Sequence, residues 1–176
     1  PLPRKKLNTV KTSNQSTKNR LVILADSQGR SMHTYLKDLT DDFEVLVYTL
    51  PGAKFKQVVG NGLRFIKNFT KSDFVYVMAG SNDFGGCEPG HLTVQQGLDM
   101  ILSPDLNTNI VISSIPLRYD EPLLNDDIHF ANLSIWNRVA SYSGTSTVTY
   151  GEVNNRMKRH HFTKKGFHYG RNGKRM

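Results

Sequence analysis

Five short apolar runs, separated by stretches whose apolar residues recur three and four apart, constrain the fold of this chain more than any other feature. Leu21-Val22-Ile23-Leu24-Ala25 is apolar at every position, the pattern of a strand covered on both faces rather than one alternating between core and water. Glu44 to Leu50, Phe74 to Ala79, Asn109 to Ser114 and the weaker Thr147 to Tyr150 read as four more strands. Between them, Gly29 to Leu39, Phe55 to Phe69, Leu92 to Leu102 and Asp126 to Tyr142 carry helical spacing. Strands alternating with helices predict an α/β fold: a three-layer α/β/α sandwich around a mainly parallel five-stranded sheet with right-handed crossovers.

The length of 176 residues, 38% hydrophobic and 22% charged, suits one soluble globular domain, and no apolar run nears the roughly 20 residues needed to cross a bilayer. Residues 1–20 are rich in Lys, Asn, Ser and Thr without a sustained period, so they read as a flexible basic arm, with the domain occupying 21–176. Cys87 is the only cysteine, which excludes an internal disulfide and a multi-cysteine zinc site. With no apolar leader stretch, this points to an intracellular, cytoplasmic setting.

The net charge of +8 is unevenly spread: +6 over residues 1–20, +7 over 151–176 and −5 between them. Basic ends on an acidic body suit RNA or DNA, because clustered cations release counterions from a phosphate backbone. Arg4, Lys5, Lys6, Lys164, Lys165 and Arg171 are the candidate contacts. The competing reading is a solvated tail and a basic last segment that share a sign.

In open parallel sheets, ligands bind beyond the carboxyl ends of the strands. Ser27 lies two residues past Ala25, Gly52 two past Leu50, and Gly80 and Asn82 just past Ala79, so all four are expected on one rim. A serine hydroxyl there can attack a carbonyl, while backbone N–H groups and a carboxamide stabilise the oxyanion that forms. Each residue also has an ordinary structural role: Ser27 as a helix cap, Pro51-Gly52 as a turn, Asn82-Asp83 as caps of the following helix. His160 and His161, being adjacent, point apart and have no accompanying carboxylate cluster, so no metal site is read there.

These blocks, in this order, resemble the SGNH hydrolases, or GDSL-like esterases. Ala25-Asp26-Ser27, Pro51-Gly52-Ala53, Gly80-Ser81-Asn82-Asp83 and Gly166-Phe167-His168 are similar to the four motif blocks of that family, and the likeness runs from Leu21 to about Lys174. Segments such as Ile115-Pro116-Leu117-Arg118-Tyr119-Asp120 and Phe162-Thr163-Lys164-Lys165 also look like esterase-type domains of animal, particularly insect, retroelement first-reading-frame proteins.

The resemblance implies a flavodoxin-like fold and hydrolysis of acyl or acetyl esters or lipids without a cofactor. It makes Ser27 the nucleophile, His168 the base, and the Ser27 amide, Gly52 amide and Asn82 carboxamide the oxyanion hole. It also exposes a departure: Lys165 stands where the family has an aspartate beside the histidine. A lysine cannot accept the ring N–H and opposes the imidazolium, and loss of the equivalent acid in serine proteases costs about 10⁴ in turnover. Glu152, near the end of the fifth strand, is a possible replacement acid. The expectation is therefore a weak esterase; the alternative is a catalytically degenerate SGNH-like domain that binds RNA or DNA through its basic ends.

Overall fold

A computed structural model describes residues 18–36, 41–103 and 106–176. Its centre is a five-stranded, fully parallel sheet in the order β2-β1-β3-β4-β5. The strands are β1 (Asn19–Ala25), β2 (Phe43–Thr49), β3 (Phe74–Met78), β4 (Asn109–Ser113) and β5 (Thr147–Gly151). Among the described residues, three α-helices complete the alternation: α1 (Phe55–Ile66), α2 (Gly90–Ile101) and α3 (Asn125–Ala140). The expected α/β class, parallel sheet and strand count are all present.

All three helices lie on one face. Phe55, Val58, Val59 and Ile66 form the buried stripe of α1, Val94, Leu98 and Ile101 that of α2, and Ile128, Ala131 and Ile135 that of α3. These side chains meet Val22, Leu24, Val75, Val77, Ile110 and Ile112, the residues of β1, β3 and β4 that point the same way. Each Val, Leu, Ile or Phe buried here contributes about 1.5–3 kcal/mol, so this face supplies most of the hydrophobic stabilisation.

The other face is covered differently. The helix expected over Gly29 to Leu39 is not formed among the described residues of that stretch; 3-10 turns at Ser27–Gly29 and Met32–Thr34 stand in its place. Ser31 between them has φ of 60°, a left-handed conformation that breaks α-helical continuity. Met32, Met157, Phe162 and Tyr169 then pack on Ile23, Ala25 and Met78. The third layer is thus made of turns and the C-terminal segment.

At the amino ends of the strands, Arg20 fixes β1 to the loop before β3. Its Nε and Nη2 bond the two Asp73 carboxylate oxygens at 3.0 and 2.6 Å, holding that carboxyl well below the ordinary range. β1 begins at Asn19, two residues inside the expected arm; residues 1–17, including Arg4, Lys5 and Lys6, lie outside the described residues.

Candidate active site

Strand register brings the motif blocks together. Ala25 pairs with Thr49 on one side and Met78 on the other, so the chain leaves β1, β2 and β3 at one level. The pairing extends one step further: the Leu50 N–H donates to Ala25 O at 2.9 Å, and the Asp26 N–H to Met78 O at 3.1 Å. Ser27, Gly52 and Asn82 consequently occupy the same rim.

Asp26 ties the first block to the third. Its buried carboxylate accepts the Gln28 N–H at 2.9 Å and the Ser81 N–H at 3.1 Å. Burial pushes its pKa up to about 6, against the pull of those two N–H groups. Asp83 does similar work between the third block and the helices: it accepts the Phe55 N–H at 2.8 Å, where α1 begins, and the Thr93 hydroxyl on α2. Asn82 links the third block to the second, its Nδ2 donating to Ala53 O at 3.1 Å. Gly52, at φ of 78°, holds a turn that only glycine adopts without strain.

The fourth block is a small hairpin. Thr163 N–H donates to His168 O and Gly170 N–H to His161 O, both at 2.8 Å, and Phe162 bridges Tyr169 antiparallel. Gly166 turns the hairpin at φ of 86°, and a β-carbon there would lie 2.8 Å from that of Tyr119. The hairpin docks on the loop after β4 through Tyr119 N–H to Gly166 O. Arg118 lies over the Phe167 ring, 4.2 Å from its centroid.

This arrangement carries His168 Nε2 to 3.0 Å from Ser27 Oγ. The ring titrates below its ordinary value, first because it is desolvated and then because Arg30 and Lys174 oppose a positive charge. A hydroxyl bonded to an imidazole that stays neutral is chemically suited to general-base activation.

Lys165 is exposed, and among the described residues no carboxylate bonds His168 Nδ1. Glu152 is not a replacement: its oxygens are bound to the Ser114 and Tyr150 hydroxyls and the Asn154 N–H at the end of β5. Asp120 is the carboxylate whose field favours a charged His168, but Arg118 holds both its oxygens at 2.7 Å. Lys164 and Arg171 are exposed on the same C-terminal segment as Lys165, and His161 Nδ1 accepts the Lys158 N–H at 2.9 Å.

Gln28 is the residue that sequence reasoning missed. It is 1% exposed, and its carboxamide grips the chain on both sides of His168: Nε2 donates to Phe167 O and Oε1 accepts the Tyr169 N–H, each at 2.9 Å. Both partners are main-chain atoms about 140 positions away, so no local pattern announced it.

No protein-family model matches the chain, and no curated protein matches it. Solved structures do share its fold. A Streptococcus pneumonia protein assigned as a platelet activating factor superposes with a TM-score of 0.65 at 17% identity, over 92% of this chain and 81% of that one. An acetyl esterase, solved as a serine-to-alanine mutant with an acetate ion, gives 0.66 at 13% identity over 89% and 90%. The chain therefore shares its α/β fold with both proteins.

Proposed function

We propose that this domain is a slow carboxylester hydrolase acting on small acyl or acetyl esters through a Ser27–His168 dyad. The observation that carries the reading is the 3.0 Å contact between His168 Nε2 and Ser27 Oγ on the rim shared with Gly52 and Asn82. Ser27 Oγ attacks the acyl carbonyl as His168 Nε2 takes its proton. The Ser27 and Gly52 N–H groups, with Asn82 Nδ2, receive the oxyanion, and the proton passes from His168 to the leaving alcohol. Water then cleaves the acyl-serine by the same route. With Lys165 in the place of an acid, the imidazolium formed at each step lacks a carboxylate partner, which makes the turnover low. The name of one superposed structure, an acetyl esterase, agrees with this chemistry.

Hydrolysis of 4-nitrophenyl acetate by the purified protein tests it. Ser27→Ala is expected to abolish the activity, and equal rates for variant and parent would sink the reading. Lys165→Asp is expected to raise kcat at least tenfold by restoring an acceptor for the ring N–H.

A second reading, polyanion binding, is favoured by the exposure of Lys164, Lys165 and Arg171 on the segment that carries His168. Affinity for single-stranded RNA that falls steeply with salt and drops when residues 1–17, which precede β1 and its Arg20 clamp, are removed is the expected signature. Salt-independent or undetectable binding excludes it. The retroelement likeness and the division into arm and domain belong to the same proposal, and both rest on the sequence segments alone.

A further inference from the structure

The cations around His168 outnumber the acids that could balance them. Arg118 is balanced, because Asp120 and Glu121 both hold its guanidinium. Arg30 and Lys174 are not: among the described residues no carboxylate lies within ion-pair distance of either. Both stand close to the candidate site. Arg30 closes the turn that begins at Ser27, its N–H donating to Ser27 O at 3.3 Å. Lys174 arrives from the far end of the chain, and its ammonium donates to Arg30 O. An ammonium has three donors, so protons remain for a further acceptor.

The charges of Arg30 and Lys174 both oppose protonation of the His168 ring, and Arg30 also opposes the charge on Lys174. Like charges held together without a counter-ion repel, and an anion bound between them relieves that repulsion. The chemistry of the dyad says which half of an ester would meet them. His168 Nε2 gives its proton to the leaving alcohol, so the alcohol portion lies on the histidine side, while the acyl oxygen turns toward Gly52 and Asn82.

We propose that the preferred substrate carries a negative charge on its alcohol portion, a carboxylate or phosphate received by Arg30 and Lys174. The proposal deepens the hydrolase reading and rests on it. Such an anion also acts on the reaction itself. With Lys165 in the place of an acid, the imidazolium formed during attack has no carboxylate partner from the chain, and a substrate charge beside it takes over part of that role. Because the imidazolium exists only as attack proceeds, the benefit falls on kcat as well as on KM.

Three acetates built on one ring test it with the full 176-residue chain: 4-acetoxybenzoate, 4-acetoxyphenyl phosphate and the neutral methyl 4-acetoxybenzoate. The better of the two anions is expected to have a kcat/KM about tenfold or more above that of the methyl ester at low salt, the gap narrowing as salt rises. The methyl ester has the better leaving group, so intrinsic reactivity runs against this order. Which anion leads tells carboxylate from phosphate. Arg30→Gln, at an exposed position, is expected to cut the anion-to-neutral ratio about threefold or more, and its combination with Lys174→Gln to bring the ratio near one. Should the double variant fail to fold, Arg30→Gln alone decides. Equal kcat/KM for all three esters, or a ratio unchanged in Arg30→Gln, overturns the proposal while leaving the hydrolase reading intact. A binding measurement covers the other case. In Ser27→Ala, which cannot be acylated, the preferred anion is expected to shift the His168 imidazole NMR signals saturably and to raise the titration midpoint of that ring, and the methyl ester at the same concentration to do neither. If no ester is cleaved, the hydrolase reading fails and this titration decides whether the anion site exists; no saturable shift overturns it.

Discussion

Leu24 and Ile23 are neighbours on β1, yet they enter unlike environments. Leu24 joins α1 and the interlocked side chains behind it, whereas Ile23 faces methionines, turns and a cavity. One face has regular helices whose buried stripes interdigitate with the sheet; the other is closed by short 3-10 turns and a hairpin held by a few specific hydrogen bonds. The difference separates two tasks. The helical face packs the sheet with many buried side chains, while the hairpin that carries His168 lies on the face with the smaller buried cluster, where local opening is expected to cost less.

The largest expected effect contrasts these two residues directly. Leu24→Ala is expected to cost about 3–5 kcal/mol in urea unfolding, and Ile23→Ala clearly less, because Ile23 already borders empty space and loses fewer contacts. Equal losses would break the comparison.

A further prediction concerns the hairpin. Gln28→Met keeps the bulk but leaves Phe167 O and the Tyr169 N–H without their partner, and is expected to cost about 1–3 kcal/mol of stability. A small displacement of His168 from Ser27 should lower kcat by about ten- to a hundredfold with little change in KM. If kcat follows stability alone, with the His168 imidazole NMR signals unchanged, the hairpin does not depend on this grip.

The smallest effects are in pH. His168 titrates below its ordinary value, so the neutral base persists to lower pH, and kcat/KM is expected to reach half its plateau below about pH 6.5. The unfolded chain binds the proton more readily, so the stability contributed by His168 is present above about pH 6.5 and is lost as pH falls through the lowered folded value. Arg30→Gln removes one opposing charge and is expected to move the midpoint upward; a downward shift would contradict the proposed electrostatics. Asp26 has the reverse sign: its raised pKa of about 6 means its contribution is greatest below about pH 4 and declines as pH rises through 6.

The helical face was readable because its information is periodic. Phe55, Val58, Val59 and Ile66 repeat on one side of a helix, and the all-apolar run of β1 identifies a central strand. Ser27, Gly52 and Asn82 were readable from their places after strand ends, and His168 from the resemblance of its block. The other face was not, because Met32, Tyr35 and Leu36 have acceptable helical spacing and nothing in it reveals that Ser31 turns left-handed. Gln28 and Asp120 were equally hidden. The partners of Gln28 are main-chain atoms, and Asp120 is indistinguishable from any loop carboxylate until Arg118 is found holding it.

Asp26 and Asp83 carry one further consequence. Each carboxylate satisfies buried main-chain N–H groups from a different part of the chain, and neither touches the reacting hydroxyl. Folding alone therefore requires these two aspartates, whether or not the serine beside Asp26 reacts. The presence of Asp26 and Asp83 thus reports on how this rim is folded, whereas the groups around the His168 ring bear on whether it can act as a base.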